Sequence, residues 1–168
     1  EAINVPATPA AAPPKPDAPA RVSELGFMHV VDVNGDGRND VVTAAGHDFG
    51  VFWFEQGADG KWTRRMIDSA WSQGHASTLI DLNADGRLDL VVANGHIFSD
   101  VDRFPALGET YAQASQLLLN QGGTFRDVST GTGRGLQTPR VSRGLAVGDL
   151  DDDGDPDVVL ACCGDVPT

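Results

Sequence analysis

Short apolar runs and polar turn segments alternate along most of the chain. At three places an apolar run leads into an acidic segment, the first at residues 32–40, and a second apolar run follows it. Runs this short and this rich in β-branched residues predict buried strands rather than helices. After the first two segments, a further pair of apolar runs surrounds a turn, at Asp59-Gly60 and at Gly122-Gly123, which predicts a hairpin. The pattern therefore predicts an all-β protein.

The predicted strands fall into three units, at about residues 22–70, 71–130 and 140–168. The first two units contain four predicted strands each, and the third contains two. An insertion at residues 99–114 separates the second and third strands of the second unit. Four-stranded repeats of this length are typical of the blades of a β-propeller. We therefore predict that residues 22–168 form a partial propeller of two and a half blades.

Residues 1–21 differ from the rest of the chain because they are rich in proline and alanine. This composition favours extended conformers and cannot build a core. We interpret the segment as an N-terminal extension, which is either a linker or a docking segment. Residues 2–5 form a plausible short strand. The extension is therefore a possible donor strand for its own domain or for a neighbouring subunit.

The three acidic segments share the pattern D-x-[ND]-x-D-G-x-x-D, which begins at Asp32, Asp81 and Asp149. Oxygen-bearing side chains at positions 1, 3, 5 and 9 suit calcium, which takes about six to eight oxygen ligands. Glycine at position 6 permits a tight turn, and position 7 would offer its backbone carbonyl. We predict about three Ca²⁺ sites. The predicted ligands are Asp32, Asn34, Asp36, Arg38 and Asp40 in the first loop, Asp81, Asn83, Asp85, Arg87 and Asp89 in the second, and Asp149, Asp151, Asp153, Asp155 and Asp157 in the third.

The same nine positions begin an EF-hand loop, which closes with a bidentate glutamate at position 12 between two helices. Position 12 is Thr43, Val92 and Leu160 in the three loops, so no carboxylate stands there. The flanking runs also predict strands rather than helices. Each loop is therefore predicted to join two strands, with the aspartate at position 9 taking the closing role.

The net charge of the chain is -12, and half of its 24 acidic side chains lie in the three loops. Three divalent ions would bring the formal charge to about -6, so we interpret much of the acidity as site chemistry. The sequence contains no basic stripe, which argues against nucleic-acid binding. It also contains no apolar run of the roughly 20 residues that span a bilayer.

Two histidines and two cysteines are further candidates for chemistry. His47 and His96 each follow the closing aspartate by the same spacing, and we favour turn histidines bonded to backbone over metal or catalytic roles. Cys162 and Cys163 are adjacent, which leaves buried thiols, an intermolecular bridge and a vicinal disulfide open. No nucleophile elbow, ordered triad or phosphate loop is present. The sequence therefore predicts that the protein is not an enzyme.

The loops and their strands resemble FG-GAP or VCBS repeats, which are the blades of integrin-α-type β-propellers. The second half is similar to ASPIC/UnbV-type secreted proteins, through the segments ANGH at residues 93–96, QLLLN at 116–120 and RGLAVGDLD at 143–151. The resemblance covers about residues 25–163. It implies a calcium site in each blade and extracellular binding or adhesive roles. Such propellers close with about seven blades, which is more than the units of this chain supply.

An incomplete arc of blades exposes unpaired strand edges and unburied faces. We therefore expect an extracellular, calcium-binding structural protein that assembles with other copies of itself. Strand donation by residues 1–21 would give a filament or a closed ring, depending on the geometry of the contact. The alternative is an adhesion module, or a carbohydrate- or protein-binding module, cut from a larger propeller.

Overall fold

The computed structural model describes residues 25–45 and 49–164. Within them the chain is built of antiparallel strands, which form three separate sheets. The first sheet has four strands in sequence order, and its third and fourth strands form the predicted hairpin. Its strands are β1 (Leu25–Val31), β2 (Asp40–Ala45), β3 (Phe49–Gln56) and β4 (Trp62–Ser72).

The second sheet repeats the first, again with four strands in sequence order, and the third sheet has two strands. The all-β, blade-like fold predicted from the sequence is therefore confirmed. The strands are β5 (Gly74–Ile80), β6 (Asp89–Asn94), β7 (Gln116–Asn120) and β8 (Phe125–Asp127) in the second sheet, and β9 (Ser142–Gly148) and β10 (Asp157–Cys162) in the third.

Short helical turns fill the connections outside the sheets. The insertion of the second sheet contains two 3₁₀ helices, and a third 3₁₀ helix and α1 lie between β8 and β9. No helix in the described part of the chain is long and apolar enough to cross a membrane. The helices are Val101–Arg103, Pro105–Leu107 and Ser129–Gly131, all 3₁₀, and α1 (Arg134–Gln137).

The acidic loops occupy the same place in all three sheets. In each sheet the loop joins the first strand to the second, and the closing aspartate pairs with the residue just before the loop. These pairs are Val31 with Asp40, Ile80 with Asp89, and Gly148 with Asp157. A strand therefore enters and leaves every loop, as the missing glutamate at position 12 predicted.

The sheets pack face to face. Val42 and Trp53 are neighbours across β2 and β3, and they pack with Leu90 and Leu118 of the second sheet in one buried cluster. A second cluster joins β6 to β10, where Leu160 packs with buried alanines of the second sheet. Because side chains alternate along a strand, the second sheet buries one face against the first sheet and the other against the third. This is the stacking expected of propeller blades.

The seam between the first two sheets is tight at the β7–β8 turn. A Cβ atom on Gly123 would lie 3.1 Å from Trp53 Cη2 and 3.3 Å from Asn34 Cβ. A Cβ atom on the neighbouring Gly122 would meet no atom of the described residues within 4 Å. Both glycines have positive φ, 81° at Gly122 and 90° at Gly123, so the two positions differ in packing and share the backbone strain.

We expect Gly123→Ala to destabilise the protein more than Gly122→Ala. Both substitutions place a side chain at positive φ, but only the first one also pushes a methyl group into the seam, at a further cost of about 1 kcal/mol. Urea unfolding of the two variants would measure the difference. Equal losses of unfolding free energy would show that the seam accommodates the methyl group without a packing penalty.

Candidate functional site

The first loop coils around the side chains at its odd positions. The Asp32 carboxylate accepts hydrogen bonds from the backbone N–H of Gly35 at 2.9 Å, Asp36 at 3.1 Å and Gly37 at 2.8 Å. Asn34 Oδ1 accepts the N–H of Asp36 at 3.1 Å. These bonds hold positions 1 and 3 close to the backbone of positions 4 to 6, which is the compact turn that the spacing predicted.

The other two loops repeat these bonds. In the second loop Asp81 accepts the N–H of Gly86 at 2.9 Å, and Asn83 Oδ1 accepts the N–H of Asp85 at 3.1 Å. In the third loop Asp149 accepts the N–H of Gly154 at 3.0 Å. The equivalence of the three loops in sequence is therefore also an equivalence in backbone hydrogen bonding.

The third loop brings three carboxylates together. Asp149, Asp151 and Asp153 each offer an oxygen, these oxygens lie within 4.8 Å of one another, and all three side chains are exposed. Two oxygens bound to one calcium ion, each at about 2.4 Å, are separated by no more than about 4.8 Å. The chemistry of these hard oxygen donors thus fits a calcium ion. In the first two loops the residue at position 3 is an asparagine, which offers a neutral amide oxygen.

The closing aspartates have a structural role that the sequence analysis missed. Asp40 is fully buried, and its two oxygens accept the N–H of Val33 at 3.2 Å and the N–H of Gln56 at 2.8 Å. Val33 lies in the loop and Gln56 ends β3, so one carboxylate ties the loop to the third strand. Metal binding by this residue, as by the other fourteen predicted ligands, stays a prediction.

The closing aspartate of the second sheet accepts the same two hydrogen bonds, and that of the third sheet accepts the one from its loop. Asp89 is fully buried and accepts the N–H of Leu82 at 3.2 Å and that of Asn120, at the end of β7, at 2.8 Å. Asp157 accepts the loop N–H of Leu150 at 2.9 Å. No third strand lies beside β10 within the described residues, so the bond that would match Gln56 or Asn120 has no donor there.

In the first two loops the arginine at position 7 also bonds the loop to the end of the third strand. Arg38 Nε donates to the carbonyl of Gln56 at 2.8 Å, and its guanidinium pairs with Asp36. Arg87 donates to the carbonyl of Asn120 at 3.2 Å and repeats the pairing with its own loop. In the third loop, whose sheet has two strands in the described part of the chain, position 7 is an aspartate. Arginine at position 7 is therefore the sequence feature that distinguishes the two loops bonded to a third strand from the third loop.

Three carboxylates of the first two loops have shifted pKa values. The backbone N–H of Gly37 lowers the pKa of Asp32, and the N–H of Arg87 lowers the pKa of Asp85. Burial raises the pKa of Asp89, and the two amides that donate to it oppose this effect. The lowered pKa values of Asp32 and Asp85 favour the ionised form that a cation needs, whereas Asp89 carries a desolvation cost.

His96 is packed against backbone, as we favoured, and it also has a carboxylate neighbour. Its ring is almost fully buried, Nδ1 accepts the N–H of Phe98 at 2.9 Å, and Nε2 lies 2.6 Å from Glu109 Oε2. Arg143 of β9 donates to the carbonyl of His96 at 2.6 Å. Glu109 belongs to the insertion, and its contact with His96 had no local sequence signal. His47, the equivalent residue in the first unit, lies outside the described residues.

Cys162 and Cys163 are both free thiols. Cys162 lies in the seam between the second and third sheets, with its sulfur 3.5 Å from Ser142 Oγ. Cys163 is exposed. The two cysteines are therefore not joined to each other, and an intermolecular bridge through Cys163 stays a prediction.

We expect Asp89→Ala to destabilise the protein by about 2 to 4 kcal/mol even without metal, because it leaves the buried N–H of Asn120 and the partly buried N–H of Leu82 without an acceptor. The matched variant Asp157→Ala removes one such bond from a less buried position, so its effect should be less than half as large. Urea unfolding of both variants in excess chelator would test this. Equal losses would contradict the role of the closing aspartate in holding the third strand.

A family model for FG-GAP-like repeats matches residues 32–92 and 99–160. The first matched segment contains the first acidic loop at its start and the second near its end, and the second matched segment contains the third loop near its end. No curated protein matches the chain. The two matched segments cover more than half of the sequence, and the sheets and loops they contain have the repeated geometry described above. The chain belongs to the FG-GAP-like repeat family.

Proposed function

We propose that the protein is a non-catalytic, extracellular, calcium-binding structural subunit that assembles with other copies of itself. FG-GAP repeat domains are generally non-catalytic and occur in extracellular or surface proteins, which supports the class and the location. The observation that carries the proposal is that, among the described residues, no strand lies beside β10 where the other two sheets have their third strand. Calcium would hold the loops, and another copy would complete the blade.

Calcium is proposed as a structural ion in about three sites. The predicted ligands come from one short segment each, and the amide bonds to Asp32 and its equivalents already fold that segment into a compact turn. A site of this kind does not exist in the unfolded chain, so its binding free energy adds to the free energy of folding. The ion would also offset repulsion among the acidic side chains, above all in the third loop.

Strand completion is the proposed route of assembly. In the first two sheets β3 and β7 pair with the second strand, and each supplies an N–H to the closing aspartate. In the third sheet β10 pairs with β9, and no other strand of residues 25–45 and 49–164 pairs with it. An unpaired edge is a template for an extended segment of another chain. We propose that residues 1–21 of a second copy supply that segment.

The outer face of the first sheet supports contact with another copy. Met28 and Val30 on β1 are 62% and 69% exposed, and Met66 on β4 is 43% exposed. These residues lie opposite the face that packs on the second sheet. The equivalent face of the second sheet, with Leu90 and Leu118, is buried against the first. An apolar face whose counterpart is buried within the chain is suited to packing on another sheet.

The assembly would be a ring or a filament. A donated strand links unlike surfaces of two copies, and a head-to-tail contact closes into a ring only if its rotation allows. Either form would give the protein its proposed structural role, with other copies of the chain as the partners.

Removal of calcium should lower the melting temperature by at least about 10 °C, because each filled site adds roughly 3 kcal/mol at saturating calcium. Calorimetry with excess calcium and with excess chelator would measure this. A control variant carrying Asp32→Asn, Asp81→Asn and Asp149→Asn should melt at one temperature under both conditions. An unchanged melt of the unaltered protein would refute a structural role for calcium.

Deletion of residues 1–21 should reduce the assembly to monomers, because it removes the proposed donor strand. Multi-angle light scattering of the full and shortened chains would show the change. As a matched control, Ile3→Asp with Val5→Asp keeps the length of the segment but removes its apolar side chains, and it should act like the deletion. An assembly state that does not depend on the segment would exclude strand donation.

A second candidate function, binding of a protein or carbohydrate partner, is favoured by exposed apolar side chains in and just before the insertion of the second sheet. Ile97, Phe98, Phe104 and Leu107 are each about half exposed, and the rings of Phe98 and Phe104 stack with centroids 6.1 Å apart. Clusters of exposed apolar side chains mark interaction surfaces. Binding of the isolated protein to a glycan array or to a protein ligand would favour this candidate, whereas assembly without any ligand favours the first.

A further inference from the structure

Asn120 is a buried residue whose side chain bonds to two different acidic loops. It ends β7 and is 3% exposed. Its Nδ2 donates to the carbonyl of Val33 in the first loop at 2.9 Å and to the carbonyl of Leu88 in the second loop at 3.3 Å. The bond to Val33 crosses the seam between the first two sheets. The two loops therefore share one side chain.

The backbone of Asn120 is held by the second loop. Its N–H donates to the closing aspartate, Asp89, at 2.8 Å, and its carbonyl accepts Arg87 Nε at 3.2 Å. Positions 7, 8 and 9 of that loop thus all bond to this residue. Any change that orders the second loop also orders the position of Asn120.

The orientation of the Asn120 amide is fixed by the turn that follows it. Oδ1 accepts the N–H of Gly122 at 2.9 Å and that of Gly123 at 3.1 Å, which leaves Nδ2 to donate toward the two loops. The same turn touches the first loop directly, because a Cβ atom on Gly123 would come 3.3 Å from Asn34 Cβ. The side chain is therefore a fixed link.

We propose that Asn120 couples the first two calcium loops, so that calcium in one raises the affinity of the other. The inference rests on the proposed calcium binding. Val33 lies between the predicted ligands Asp32 and Asn34, and holding its carbonyl positions the peptide that carries Asn34. A loop whose partner is already ordered has less conformational entropy to lose on binding. The coupling is reciprocal, as linkage requires.

Gln56 supplies a matched control within the chain. It ends β3 as Asn120 ends β7, its N–H donates to the closing Asp40 at 2.8 Å, and its carbonyl accepts Arg38 Nε at 2.8 Å. Within the described residues its side chain is not bonded to a second loop. Gln56→Ala therefore alters an equivalent position without removing a link between loops.

Calcium titration by calorimetry would test the coupling, in full-length protein with the third loop silenced by Asp151→Asn and Asp153→Asn. The second loop is then left intact or silenced by Asp81→Asn and Asp85→Asn. With Asn120 present, silencing the second loop should weaken calcium binding by the first about fivefold, the worth of one net hydrogen bond. With Asn120→Ala it should change that affinity by less than twofold, whereas Gln56→Ala should retain the fivefold effect.

If silencing the second loop weakens calcium binding by the first loop equally in the proteins with Asn120 and with Asn120→Ala, the coupling is overturned and calcium binding itself still stands. Absence of calcium binding in every protein would instead refute the proposed function on which the coupling rests. If Asn120→Ala does not fold, exchange of the Asn120 side-chain amide with water gives a second measurement. Calcium should slow that exchange in a protein with only the first loop intact and in a protein with only the second loop intact. If calcium slows it only when the second loop is intact, the coupling is overturned.

Discussion

A buried carboxylate that accepts two backbone N–H groups is the interaction on which each complete blade depends. Asp40 and Asp89 are both fully buried, and burying a lone carboxylate would cost several kcal/mol. One amide comes from the loop that precedes the aspartate and the other from the end of the third strand. The bonds that compensate the charge are therefore also the bonds that join the loop to the sheet.

This arrangement connects the loop chemistry to the packing of the blades. Trp53 lies on β3, the strand whose last residue, Gln56, donates to Asp40. Its indole fills the seam between the first two sheets, against Leu90 and the turn at Gly123. The loop sets the end of β3, and β3 carries the largest side chain of the seam. An ion that orders the loop would thus also stabilise the contact between neighbouring blades.

The loops and strands could be predicted because their signals are local. Alternating apolar runs mark the strands, and acids at odd positions of a nine-residue segment mark the loops. The amide partner of the closing aspartate is not local: Gln56 lies 16 residues after Asp40, whereas Asn120 lies 31 residues after Asp89, because the insertion intervenes. No fixed spacing in the sequence could reveal this bond. The bond from Asn120 to Val33 spans 87 residues and depends on how two blades stack.

Comparison of the three loops shows why the third differs from the others. The first two carry an arginine at position 7 and a buried closing aspartate bonded to a third strand. The third loop has six acidic residues and no arginine, and its closing Asp157 accepts a hydrogen bond from the loop but, among the residues that the structure describes, none from a third strand. Repulsion among its carboxylates is therefore opposed by fewer protein groups. If calcium binding and strand completion occur as proposed, the ion and a strand from another copy would supply to this blade what arginine and the third strand supply within the other two.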